Sequence, residues 1–143
     1  MNFLLDTHVL IGLAIEPQKL SPQATNILTD SNNTLFLSLV SIWEMQIKIQ
    51  IGKLTFNAPL REIIERQQQV NELQILPIEL THLFALDGLS NHHRDPFDRL
   101  LIAQGIAEQM SIVSADSVFD RDSVISWGIL LMRSHILSLC YRI

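Results

Sequence analysis

The chain has 143 residues, 48% of them apolar and 17% charged. These proportions fit one soluble domain with a real core and exclude a disordered chain or a coiled coil. The single cysteine, Cys140, excludes an internal disulfide framework and a cysteine-built zinc site. Without a long apolar run or a basic N-terminal start, we expect a cytoplasmic protein with no membrane segment. The formal net charge of −5 argues, on its own, against a nucleic-acid partner.

The predicted elements alternate between short apolar strands and longer helices. In chain order the predicted strands cover residues 3–5, 35–37, 73–78, 111–113 and 129–131. The helices are predicted to begin at Pro22 after the N-cap Ser21, at Ser41, at Pro59 and at Pro96. The helix that begins at Ser41 is predicted to stop at Gly52. Because the strands are continuous apolar runs rather than alternating ones, they indicate a parallel sheet with helices on both faces. The sequence therefore predicts the α/β class.

Acidic residues follow the predicted strands at the edge where such sheets carry their functional crevice. Asp6 ends the first strand, Glu44 comes after the second, Asp98 lies in the first turn of a helix, and Asp116 follows the fourth strand. A cluster of carboxylates is costly unless a cation neutralises it. Oxygen ligands suit Mg²⁺ or Mn²⁺, and a metal so held can activate water for displacement at a phosphodiester.

Helix capping is the competing interpretation of the same acids, because each lies near a predicted helix start. Glu44 fits a capping box with Ser41, and Asp95 fits an N-cap before Pro96. Asp6 is harder to explain in this way, since it directly ends a buried strand. The two interpretations are compatible, because a helix N-terminus keeps a carboxylate ionised.

Four segments of the sequence resemble the PIN-domain family, and most of all the VapC-type toxins of type II toxin–antitoxin pairs. The segments are Leu4-Leu5-Asp6-Thr7-His8, Ser41-Ile42-Trp43-Glu44, His93-Arg94-Asp95-Pro96-Phe97-Asp98-Arg99 and Ser114-Ala115-Asp116. The resemblance covers about residues 1–132. It leaves residues 133–143 as an apolar tail that packs either on the domain or at a dimer interface.

The resemblance implies a three-layer α/β/α fold with a central parallel sheet in the order 3-2-1-4-5. It also implies a metal-dependent endoribonuclease in which one or two Mg²⁺ or Mn²⁺ ions are held by Asp6, Glu44, Asp98 and Asp116. Metal-activated water would then leave 5′-phosphate and 3′-hydroxyl ends. The family's substrates include transfer and ribosomal RNA, a cognate antitoxin silences the toxin, and homodimers are common.

Several residues beside the four acids are candidates for supporting roles. Thr7 would either orient a ligand carboxylate or cap the next helix, Asp95 is kept mainly as a cap, and Ser114 retains the hydroxyl of the threonine common in the family. The candidates for RNA contact, for which a solvated surface or a salt bridge is the alternative, are Lys48, Lys53, Arg94 and Arg99. His8, His92 and His93 lack the spacing of a zinc site.

Two other functions are alternatives to the nuclease. A receiver-like phosphoacceptor is disfavoured, because the first strand offers Asp6 alone and no lysine follows Lys53. A non-catalytic PIN-type binding module that acts through a protein partner stays open. The net charge also does not exclude an RNA partner, because two divalent ions in the acidic site would move the formal charge from −5 to about −1. RNA binding is therefore expected to depend on divalent metal.

Overall fold

The computed structural model describes residues 1–89, 95–113 and 124–125, and the structural statements below refer to these residues. The strands are β1 Asn2–Leu5, β2 Thr34–Ser38, β3 Gln74–Leu76, β4 Ser111–Val113 and β5 Val124–Ile125. The helices are α1 Thr7–Ile15, α2 Pro22–Thr29, α3 Leu39–Gln50, α4 Leu60–Val70, α5 Leu80–Ala85 and α6 Pro96–Ala107. Short 3₁₀ turns cover Pro17–Lys19 and Leu86–Gly88. None of the helices among the described residues is long and apolar enough to cross a membrane.

The sheet has the strand order β3-β2-β1-β4-β5, as predicted. Strands β3, β2, β1 and β4 pair in parallel, with Leu5 opposite both Leu37 and Val113. The fifth strand pairs antiparallel with β4, so the sheet is parallel in its first four strands and mixed at one edge. The predicted strand at 129–131 and the tail 133–143 lie outside the described residues.

Successive residues of β1 point into two different cores, as the pleat of a strand requires. Phe3 and Leu5 belong to one buried cluster, which also receives residues of α1, α2, α3 and α4. Leu4, completely buried, belongs to a second cluster with Leu101 and Ile102 of α6. The sheet is therefore covered on both faces, which confirms the three-layer arrangement and explains why the strands are continuous apolar runs.

The start of α3 differs from the predicted capping box. Ser38, the last residue of β2, is the N-cap, and its Oγ accepts a hydrogen bond of 3.0 Å from the Val40 N–H. Ser41 lies inside the helix, and its buried Oγ has no hydrogen-bond partner among the described residues. Glu44 consequently lies in the second turn of α3, so the capping-box interpretation of Glu44 is wrong. The reason is that β2 continues to Ser38 and passes directly into the helix.

The end of α3 is a Schellman motif, as the predicted stop at Gly52 requires. Gly52 has φ +76°, a left-handed conformation that glycine adopts without a Cβ clash. The Lys53 N–H donates to the Lys48 carbonyl at 2.8 Å, and the Gly52 N–H donates to the Ile49 carbonyl at 3.1 Å. This turn brings the backbone of Lys53 against that of Lys48.

Candidate metal centre

Asp6 lies at the junction of β1 and α1, at the carboxyl edge of the sheet. Its backbone N–H donates to the carbonyl of Val113 at 2.9 Å, which fixes it beside the end of β4. Only 5% of the residue is exposed. Within the described part of the chain, Asp6 is the N-cap residue of α1 by position, yet its side chain makes no capping hydrogen bond. Capping therefore does not account for this buried carboxylate.

Glu44 presents a second buried carboxylate from α3, held by two different donors. The Thr7 Oγ1 donates to Glu44 Oε2 at 2.7 Å, and the Lys48 ammonium lies 2.8 Å from Glu44 Oε1. The side chains of Glu44 and Lys48 are only 7% and 12% exposed. The Thr7 hydroxyl thus fixes the orientation of the Glu44 carboxylate.

His8 stands next to both acids. Its Nδ1 is buried, lies 3.8 Å from Asp6 Oδ2, and has no hydrogen-bond partner among the residues that the structure describes. The side chain of Asp6 raises the pKa of His8 above its ordinary value of 6.5, and the negative charges of Asp6 and Glu44 add to the rise. Burial and the charge of Lys48 oppose the rise. At 3.8 Å the contact is looser than an ordinary hydrogen bond.

The first turn of α6 lies beside α3, the helix that carries Glu44. Asp95 caps this helix, because its Oδ1 accepts from the Phe97 N–H at 2.8 Å and from the Asp98 N–H at 3.3 Å. Asp98 is half-buried in that turn. The Phe97 ring meets the Trp43 ring of α3 edge-to-face, with centroids 5.1 Å apart. This contact ties the start of α6 to the helix that carries Glu44.

A cleft of about 270 Å³ lies between these two helices. Its lining comes from α3, from the turn after it and from the start of α6: Glu44, Ile47, Lys48, Ile51, Lys53, Asp95 and Phe97. Two cations and two carboxylates therefore face one cleft beside the candidate metal site. A cleft with this lining suits an anionic ligand whose negative groups contact the lysines directly and the carboxylates through a bound cation.

The remaining predicted site residues fall into two groups. Ser114, Asp116 and Arg94, together with His92 and His93, lie outside the described residues. Arg99 is half-buried on α6. Two further cations, Arg61 and Arg66 of α4, line other depressions, away from the cleft that Lys48 and Lys53 line.

The carboxylates of Asp6, Glu44 and Asp98 are not drawn together as closely as metal ligands. Within residues 1–89 and 95–113, one group of three potential ligands has its ligand atoms all within 4.8 Å of one another: Glu79, His82 and Glu108. That group is explained by hydrogen bonding inside the protein. The His82 Nδ1 accepts from the Glu79 N–H at 3.0 Å, and its Nε2 lies 2.7 Å from Glu108 Oε1. Both ring nitrogens are thus in use, so this group is a polar network around the buried His82 ring, with two exposed glutamates.

The ion pair between Glu44 and Lys48 was not foreseen from the sequence, although a signal for it exists. A glutamate four residues before a lysine on a predicted helix is the favourable i,i+4 arrangement. From the sequence alone, Lys48 is one of four cations that are candidates for RNA contact. The structure shows a mostly buried ammonium directed at the candidate metal ligand.

The chain is similar to a known protein family in sequence and to solved structures in fold. The PIN-domain family profile matches residues 3–123. No curated protein matches the sequence. The fold resembles that of VapBC2 from Rickettsia felis bound to a DNA fragment from their promoter, with a TM-score of 0.59 and 21% identity over 85% of this chain and 92% of that chain. It also resembles a toxin–antitoxin complex from Klebsiella pneumoniae, with a TM-score of 0.51 and 15% identity over 79% and 85% of the two chains. At these identities the two likenesses concern the fold alone.

Proposed function

Because this chain belongs to the PIN-domain family, we propose that it is a metal-dependent endoribonuclease and the toxin of a toxin–antitoxin pair. The observation that carries the proposal is the pair of buried carboxylates, Asp6 and Glu44, each 5% exposed at the carboxyl edge of a mostly parallel sheet. Buried acids at that edge belong to a site rather than to the core of a sheet.

The donor set fits a hard divalent cation. Carboxylate oxygens of Asp6 and Glu44 are suitable ligands for Mg²⁺ or Mn²⁺. Each of these two carboxylates already has a basic group nearby. The Lys48 ammonium lies 2.8 Å from Glu44, and the His8 imidazole lies 3.8 Å from Asp6. Asp98 and Asp116 complete the proposed ligand set for one or two ions. A bound ion would lower the pKa of a water molecule and neutralise charge that develops on the scissile phosphate.

The other residues of the site bind and orient. Thr7 fixes the Glu44 carboxylate through its 2.7 Å hydrogen bond, and such a donor commonly orients a metal ligand from behind. Asp95 holds the first turn of α6, and with it Asp98, by accepting two backbone N–H groups. Lys53, Arg94 and Arg99 are proposed to contact the RNA backbone, where cations supply affinity without sequence preference.

Cleavage of RNA by the purified protein tests the enzymatic part of the proposal. With Mg²⁺ or Mn²⁺ we expect products with 5′-phosphate and 3′-hydroxyl ends, and with a chelator we expect none. The substitution Asp6→Asn should lower the cleavage rate by at least about 100-fold, since it removes a charged ligand whose loss weakens water activation.

The matched control is Asp30→Asn. Asp30 is exposed at the end of α2, before β2 begins and hence at the opposite edge of the sheet, and its Oδ1 accepts from Asn32 at 2.9 Å. Asparagine keeps that oxygen, so the control should cleave at the normal rate. Equal cleavage rates of Asp6→Asn and Asp30→Asn would contradict the nuclease proposal. An inactive wild type that also binds no metal would favour the non-catalytic binding module.

The toxin role, the antitoxin and a homodimer are proposed together. Among the solved structures that resemble the fold, one is VapBC2 bound to DNA and another is a toxin–antitoxin complex, which supports an antitoxin chain as partner. Expression of this chain alone in bacteria should stop growth, and expression with the product of a neighbouring small reading frame should restore it. Sequencing RNA ends after such expression would identify the target among transfer and ribosomal RNAs. Normal growth during soluble expression of the chain alone would contradict the toxin role.

A further inference from the structure

The ion pair between Glu44 and Lys48 has features that a surface salt bridge lacks. Both side chains are almost buried, at 7% and 12% exposure, and Nζ lies 2.8 Å from Oε1. The second oxygen of the same carboxylate accepts from Thr7 at 2.7 Å. The protein thus supplies a donor to each oxygen of a carboxylate that the proposed function assigns to the metal.

A buried carboxylate requires a positive partner, and Lys48 provides it from within the chain. A divalent ion on Glu44 would supply that charge instead, and would repel an ammonium held a few ångströms away. The two cations therefore compete for one carboxylate.

The surroundings of Lys48 give the ammonium a place to move. Lysine has a flexible four-carbon stem with a compact charge at its end. The cleft that Lys48 lines holds about 270 Å³, and Lys53 and Asp95 also line it. Asp95 already accepts two backbone N–H groups of α6, so its carboxylate is partly satisfied there.

We propose that Lys48 is the internal counter-cation of Glu44 in the metal-free protein, and that metal binding releases its ammonium into the neighbouring cleft. This inference rests on the proposed function. It makes the positive charge of the cleft depend on the metal, because Lys48 becomes available to a phosphate group only after Glu44 has a different cation. In the metal-free protein the same contact keeps the site neutralised and lowers its apparent affinity for metal.

Amine labelling of the wild-type protein tests the release without any substitution. The chain has three lysines, Lys19, Lys48 and Lys53, whose acetylation rates are separable by mass spectrometry. In a chelator Lys48 should react slowly, and saturating Mn²⁺ should raise its rate several-fold. Lys19, paired with Glu16 and 69% exposed, and Lys53 should change less than twofold. If Lys48 reacts at the same rate in both conditions while calorimetry shows Mn²⁺ bound, the inference is overturned and the proposed function stands.

Metal affinity of matched variants tests the competition. Lys48→Met and Lys53→Met remove one charge each from the same cleft, but only the first removes the partner of Glu44. If the pair is closed in about nine of ten metal-free molecules, Lys48→Met should bind Mn²⁺ roughly tenfold more tightly by calorimetry. Lys53→Met should stay within about twofold, since it acts only through long-range charge. Equal affinities in the two variants, or weaker binding by Lys48→Met, would contradict the inference. Absence of Mn²⁺ binding in the wild type and both variants would overturn the proposed function as well.

Discussion

In the candidate site, acidic and basic side chains lie next to one another. Asp6 and Glu44 are carboxylates with little exposure, the Lys48 ammonium lies beside Glu44, and the His8 imidazole lies beside Asp6. Such arrangements contribute little net stability as pairs, but removing one partner is costly because the other charge stays buried. Burial of this kind is expected where charge serves a ligand rather than the fold.

The pH dependence of stability should reveal the pairing of His8 with Asp6. The folded-state pKa of His8 is raised above 6.5, so the folded protein binds the proton more tightly than the unfolded chain. The stabilisation is then fully present below pH 6.5 and disappears as pH rises through the raised pKa. In a chelator, the free energy of unfolding of wild type should exceed that of His8→Asn most at pH 5.5. The excess should shrink towards pH 8.

Urea unfolding at several pH values measures this difference. A companion variant, Asp6→Asn, removes the negative partner of His8. It should reduce the pH dependence of the free energy of unfolding, as His8→Asn does. A gap between wild type and His8→Asn that stays constant from pH 5.5 to 8 would contradict the prediction, because a constant gap reports packing rather than charge.

At the scale of elements, a buried polar chain joins the end of β2 to α5 and α6 on the second face of the sheet. The Ser38 Oγ–H donates to Gln104 Oε1. The Gln104 Nε2 donates to the Pro77 carbonyl at 3.1 Å and lies 3.3 Å from His82 Nδ1. His82 continues the chain to Glu108. Because Ser38 is also the N-cap of α3, this network helps to fix the helix that carries Glu44.

Gln104→Met should destabilise the protein by about 2–4 kcal/mol. Methionine has a similar volume but leaves the buried Ser38 hydroxyl and the part-buried Pro77 carbonyl without Gln104 as a partner. An unsatisfied buried group costs about 1–3 kcal/mol. Gln104 is completely buried. The control Gln69→Met replaces an exposed residue of α4 and should change stability by less than about 0.5 kcal/mol. Equal unfolding midpoints of the two variants in urea would show that the network adds no stability.

Most elements followed from local sequence signals, and the exceptions have physical reasons. Ser21 caps α2 with its Oγ accepting from Ala24 at 3.1 Å, and Gly52 ends α3, as predicted. The start of α3 was placed three residues late, because a serine signal occurs at both Ser38 and Ser41 and the tertiary register of β2 selects the first. The six-residue α5 was not predicted, since its short stretch from Leu80 to Ala85 has too few turns to show a helical period.

For the whole molecule, the formal net charge of −5 has to be considered together with where the charges lie. Part of the negative charge is buried at one edge of the sheet, in Asp6 and Glu44. A cation bound there would stabilise the folded state alone, because the unfolded chain does not assemble the ligands. Metal binding is therefore expected to appear as stability as well as activity.

Mn²⁺ at about 100 times its dissociation constant should raise the free energy of unfolding by about 2.7 kcal/mol. For a chain of this size that corresponds to a rise in Tm of roughly 5–10 °C. Asp6→Asn should lose most of the rise, and Asp30→Asn should retain it. Thermal unfolding with Mn²⁺ and with a chelator measures the effect, and an equal rise in both variants would place the metal elsewhere.

The sequence by itself determined the fold class, the strand order through the family resemblance, and the acids to examine. These depend on local pattern: apolar runs buried on two faces, capping residues, and acids at strand ends. Only the tertiary structure decided what each acid touches, because the partners of Glu44 come from two helices and the two members of its hydrogen bond with Thr7 are 37 residues apart. The sequence presented Lys48 as a surface cation. In the folded protein Lys48 is mostly buried and paired with Glu44, because a buried carboxylate needs a positively charged partner nearby.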